Sequence, residues 1–180
     1  MNQHKIKDET IAFPVYSLEL EHFSELSEVS FPSEYFVLLL AADYSALAEK
    51  EISDVSLLLI DRGLKYILCW GNDCEKAHDA FDLGNILWEE ENATENHVMS
   101  TWHNDESFEE ALRFCLYNAL LGDEFRNKTN IVVVSVSNAV TNQKLGFLND
   151  ICSLHNAVGV QQICPVDVIS ENQGEINENS

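Results

Sequence analysis

The feature that most constrains the fold is the run Tyr35-Phe-Val-Leu-Leu-Leu-Ala-Ala42, which is apolar at consecutive positions and has strand length. A strand with one face in water alternates apolar and polar residues. This run does not alternate, so both of its faces are expected to be buried, as in a parallel sheet covered by helices on each side. Leu64–Trp70 and Ile131–Val136 read the same way, and His97–Trp102 is a third strand in sequence order with a weaker pattern. Val15–Leu20 reads as a short edge strand, and Val158–Ile169 as one more, pushed toward an edge by Pro165.

Helical patterns fill the intervals. One runs to about Arg62, with Ile52, Val55 and Leu59 on a stripe and Gly63 as its stop. A short helix follows Asp73, with Asn72 and Glu75 at capping-box spacing and Cys74, Ala77, His78 and Phe81 on one face. Gly84 to Asn96 reads as an acidic loop. Ser107 and Glu110 open another helix, with Phe108, Leu112, Cys115 and Ala119 inward, reaching Leu121 before Gly122 ends it. A last helix runs from Asn138 to about His155. Strand–helix alternation at this spacing predicts a three-layer α/β fold: a mostly parallel open sheet of four to six strands, helices on both faces, right-handed crossovers, Rossmann-like or flavodoxin-like.

A length of 180 residues suits one domain with a sizeable core, here 13–169, between a flexible 1–12 and a disordered acidic tail over 170–180. No apolar run approaches a membrane span, and the polar start predicts no secretory signal. The five cysteines are odd in number, without a CxxC pair, and Cys69, Cys115 and Cys152 lie in apolar-patterned segments. That is the pattern of reduced, buried thiols, and it points to the cytoplasm. The net charge of −21 repels phosphate backbones and anionic membranes alike. It suits solubility, or a partner with a basic face.

In parallel α/β sheets ligands bind at the carboxyl ends of the strands. The residues expected there are Asp43, Trp70, Asp73, Asp79, Trp102, Ser137 and Asn138 as ligand-binding groups, with Trp70 and Trp102 as two walls of a pocket. Cys74 stands in the first turn of a helix, where the helix dipole favours a thiolate. His78 or His103 could serve as its base, with Asp43 or Asp79 orienting it, which makes Cys74, His78 and His103 the candidate catalytic set. A buried inert thiol and a packed histidine explain the same face equally well. Cys74, His78 and His103 could also hold a metal, although no zinc-binding spacing is present.

Several classes are excluded by missing motifs. No GxGxxG follows the first long strand, and no GxxxxGK[ST], GxSxG or HExxH occurs. Arginine occurs only at 62, 113 and 126, so none stands beyond Cys74 to hold a phosphate. No cofactor is expected.

The segments Cys69-Trp-Gly-Asn-Asp-Cys-Glu-Lys-Ala-His78-Asp79 and Thr101-Trp-His103-Asn-Asp-Glu-Ser-Phe-Glu-Glu-Ala-Leu112, with Tyr35–Asp43, resemble a family of small uncharacterised bacterial α/β proteins. The resemblance covers about two-thirds of the chain and implies a bacterial origin, but no activity. Two functions from different classes remain. One is an interaction module that takes a small ligand or a basic partner protein at its strand ends. The other is a small hydrolase or group transferase built on Cys74 or on a metal. A homodimer through an exposed helix face or an edge strand fits either.

Overall fold

The computed structural model describes residues 13–119, 121–125 and 127–136, and the backbone of 161–162. Among these residues six strands form one sheet: β1 (Val15–Leu20), β2 (Tyr35–Ala41), β3 (Leu64–Trp70), β4 (Met99–His103), β5 (Thr129–Val136) and β6 (Gln161–Gln162). Their order is β4-β3-β2-β5-β1-β6, and every adjacent pair is parallel. β2, β3 and β5 are the uninterrupted apolar runs, and they lie inside the sheet with nearly every residue buried. The three-layer α/β expectation holds.

Among the described residues three α-helices cover the sheet: α1 (Glu49–Asp61), α2 (Cys74–Asn92) and α3 (Phe108–Tyr117). Ile52, Val55 and Leu59 of α1 and Cys74, Ala77 and Phe81 of α2 pack with Leu38, Leu40, Ile67 and Cys69 on one face. Phe108, Ala111, Leu112 and Cys115 of α3 pack with Val37, Leu39, Leu68 and Trp70 on the other. The topology requires this division. The chain steps outward from β2 to β3 to β4, then returns to pair β5 on the far side of β2. With one crossover hand, a reversal of direction moves the connecting helix to the opposite face. The reversal makes the β2–β5 boundary the switch point of the sheet.

Several sequence expectations need correction. β1 is not an edge strand: it lies between β5 and β6. Between β1 and β2, where no element was expected, a 3-10 turn forms over Phe23–Ser27, with Phe23 and Leu26 buried against the core. The segment from Gly84 to Asn92 is not a loop, because α2 continues to Asn92. A Cβ at Gly84 would stand 2.7 Å from Ser56 Oγ, so the glycine leaves room for α1 to approach α2. Asn72 does not cap α2; Asp73 holds the cap position in a left-handed conformation and makes no side-chain cap bond. α3 stops at Tyr117, before the expected Leu121. The helix expected from Asn138, most of the strand over 158–169 and both termini lie outside the described residues.

Candidate functional site

A cavity of about 390 Å³ opens at the carboxyl ends of β2, β3 and β4. Its floor is the turn that links β3 to α2. Gly71 has φ +118°, and a Cβ there would stand 2.2 Å from the Ala42 carbonyl oxygen, so no side chain fits. Asp73 follows with φ 59° and ψ 32°, a conformation uncommon for a residue with a Cβ. Two backbone bonds tie the turn to the end of β2: Ala42 N–H donates to the Trp70 carbonyl at 3.0 Å, and Tyr44 N–H to that of Asn72 at 2.9 Å. Asp43 Oδ1 accepts from Ser45 N–H at 3.1 Å and from Asn72 Nδ2 at 3.2 Å. Asp43 therefore fastens the two strand ends together and does not line the cavity.

Trp70 and His103 sit side by side on the α3 face of β3 and β4, and both line the cavity. The Trp70 indole is 6% exposed, donates to the Glu106 carbonyl at 3.0 Å and meets Phe108 edge-on at 5.2 Å. The His103 ring is 5% exposed and leans on Phe114 at 5.2 Å. Its Nδ1 lies 2.9 Å from Glu106 Oε2, and its Nε2 lies 3.1 Å from Thr101 Oγ1. An ionised carboxylate only accepts, so Nδ1 carries the proton, and the Thr101 hydroxyl can donate to Nε2. Asp73, Glu75 and Glu106 present exposed carboxylates around the mouth.

Alternation along β4 separates the residues that the sequence grouped. Ser100 and Trp102 face α2, whereas Thr101 and His103 face α3. His78 meets Trp102 edge-on, with ring centroids 4.5 Å apart, and its Nε2 is 3.6 Å from Asp82 Oδ2. Asp82 also accepts from the Ser100 hydroxyl, and Asp79 Oδ1 lies 3.2 Å from His78 Nδ1. His78 and Trp102 thus form a cluster outside the cavity, with the sheet between His78 and His103. Trp102 is not the second wall of the Trp70 pocket. The metal triad is not assembled, and among the described residues no group of three His, Cys, Asp or Glu side chains is placed to hold a metal ion.

Cys74 lies at the cavity floor with its side chain turned into the core and no exposed surface. Burial pushes its thiol above the usual range, although backbone N–H groups of His103, Cys74 and Gly71 aim at the sulfur and act the other way. These N–H groups favour the thiolate, and desolvation outweighs them. Cys69 and Cys115 are pushed higher still by complete burial. Tyr44, buried against Cys69 and Cys74, spends its hydroxyl on the Leu40 carbonyl at 2.7 Å.

The ligand-binding set therefore divides. Trp70 and Asp73 line the cavity, Asp43 braces it, Asp79 and Trp102 belong to the neighbouring cluster, and Ser137 and Asn138 lie outside the described residues. The sequence reading missed Glu106 as the partner of His103. The signal was available in the spacing of three between them across a strand end.

Among the described residues no helix is long and apolar enough to cross a membrane. No curated protein and no solved structure matches the chain. A family described as a domain of unknown function, DUF7684, matches residues 15–148. That match spans β1 to β5 and every residue of the cavity, and the chain belongs to this family.

Proposed function

We propose that the chain is an interaction module whose cavity receives a cationic group, a Lys or Arg side chain of a basic partner protein. The observation that carries this reading is the charge around the cavity. Asp73, Glu75 and Glu106 surround it, and among the described residues no Lys or Arg lines it. The amino end of α2 opposes them with the equivalent of about half a positive charge. Three carboxylates outweigh that half charge, so the mouth is net negative. The net charge of −21 adds a long-range field that speeds encounter with a basic surface. The turn beneath the cavity is fixed by Gly71 and by the Asp43–Asn72 bond, so little ordering accompanies binding.

Arginine methyl ester and its acidic counterpart, N-acetylglutamate, test the reading by heteronuclear NMR of the full chain. The arginine ester is expected to shift the Trp70 indole N–H and the amides of Asp73 and Glu75. The shifts should weaken as salt rises, and Asp73→Asn with Glu75→Gln should reduce them. Equal shifts with N-acetylglutamate, or none with the arginine ester, overturn the reading.

A further inference from the structure

We propose, resting on the acidic-cavity reading, that the open edge of β4 is a docking strand for an extended segment of the same basic partner. Among the described residues β4 pairs with β3 alone and ends the sheet. An end strand leaves a row of unpaired N–H and C=O groups, which proteins often guard with Lys or Pro. β4 reads Met-Ser-Thr-Trp-His and has neither. Its flanks are instead apolar and open: Met99 is 56% exposed on the α3 face, and Trp102 is 44% exposed on the α2 face. The His78 ring braces Trp102, so the indole is a fixed platform.

The surrounding charge selects the occupant. Asp79 and Asp82 reach His78 beside Trp102, Glu95 precedes the strand, and Asp105 and Glu106 follow it. A second copy of the chain would set the same carboxylates, and the same −21, against these. A segment alternating Lys or Arg with apolar residues would complement them. Its main chain would pair along β4, and its apolar side chains would rest on Trp102 and Met99. β4 ends at His103, which lines the cavity, so the edge runs up to the cavity.

The probes are a short peptide alternating Lys and Val, its Glu–Val twin, and a Lys–Val peptide interrupted by Pro. Heteronuclear NMR and amide exchange on the full chain are the readouts. The Lys–Val peptide is expected to shift the amides of Ser100 to His103 and to slow the exchange of those that point to the open edge, whereas the other two do neither. Trp102→Ala should weaken binding about tenfold. If that variant melts early, Met99→Lys, a change at an open position, must produce a comparable loss. Equal binding of the Pro-interrupted peptide, with shifts confined to Trp70, Asp73 and Glu75, overturns the edge and leaves the cavity reading intact. Protection of β4 with no response of the cavity to arginine methyl ester supports the edge and removes the cavity. A dimer in sedimentation that Met99→Lys splits, or no peptide-induced shift in β4, overturns the proposal.

Discussion

His103 Nδ1 lies 2.9 Å from Glu106 Oε2 across the exit of β4, and this pair couples a buried ring to an exposed carboxylate. The ring is packed on Phe114, and its other nitrogen is satisfied by Thr101, so Glu106 supplies the remaining partner. Glu106→Ala leaves the Nδ1 proton with only such water as reaches the cavity. The expected loss is about 1–2 kcal/mol, the range for an unsatisfied polar group that solvent partly reaches. Glu106→Gln keeps an acceptor oxygen and should lose less. Urea unfolding of both variants checks the order: equal losses would mean that an amide oxygen does not replace the carboxylate, and no loss in either that this hydrogen bond contributes nothing.

Gly71 and Asp73 both hold positive φ in one turn, yet substitution should separate them. Gly71→Ala places a Cβ 2.2 Å from the Ala42 carbonyl, a backbone atom that cannot step aside without parting β2 from β3. A loss of about 1–3 kcal/mol is expected, with the cavity response to arginine methyl ester also reduced. Asp73→Gly relieves the left-handed strain and adds chain entropy to the unfolded state, so its stability should stay within about 1 kcal/mol of the parent. Thermal unfolding distinguishes the two. A tolerant Gly71→Ala would show that the turn is more plastic than its contacts imply.

The three described thiols make a pH prediction with a definite sign. Cys69, Cys74 and Cys115 are each raised by burial, so the folded state keeps its protons where the unfolded state gives them up. Stability is unaffected below the unfolded thiol value of about 8.5. Above it, stability falls by up to about 1.4 kcal/mol per pH unit for each thiol, until the folded value is reached. Denaturant midpoints from pH 7 to 10 should therefore decline, and the slope should lessen in Cys115→Ala after correction for the lost packing. At pH 7 the disulfide reagent DTNB should react with these thiols only on unfolding. Rapid native labelling of Cys74 would revive the nucleophile reading.

The sheet was legible because β2, β3 and β5 are buried on both faces, and burial on both faces erases alternation. The strand order was not, since nothing local records that the chain turns back after β4. The site was half legible. Trp70 and Asp73 follow from the rule of strand ends, but His103, just past a strand expected to end at Trp102, lies inside that strand. A shift of one residue along a strand changes the face, and that change assigns Trp102 to α2 and His103 to α3. The Cys74 thiol failed for a different reason. Position in the first turn is visible in sequence, whereas the depth of burial that opposes the dipole is a property of the packed core.

Gly84 explains why α2 was read too short, and it gives the last prediction. Glycine in a helix interior costs about 1 kcal/mol relative to alanine, so propensity alone argues against a helix that runs through it. Here that propensity cost is offset by the approach of Ser56, whose hydroxyl bonds the Ala80 carbonyl of α2 at 3.2 Å. Gly84→Ala gains helix propensity but drives a Cβ to 2.7 Å from Ser56 Oγ, and the overpacking term of about 1–3 kcal/mol should win. Ser56→Ala removes the clashing oxygen together with its bond. With both changes the nearest remaining contacts are 3.3–3.4 Å, to Ile60 Cδ1 and the position-56 Cβ. The double variant should therefore be more stable than the sum of the single changes implies, with a coupling of about 1 kcal/mol or more from chemical unfolding. Additive losses would mean that the two helices separate freely and that Gly84 has no packing role.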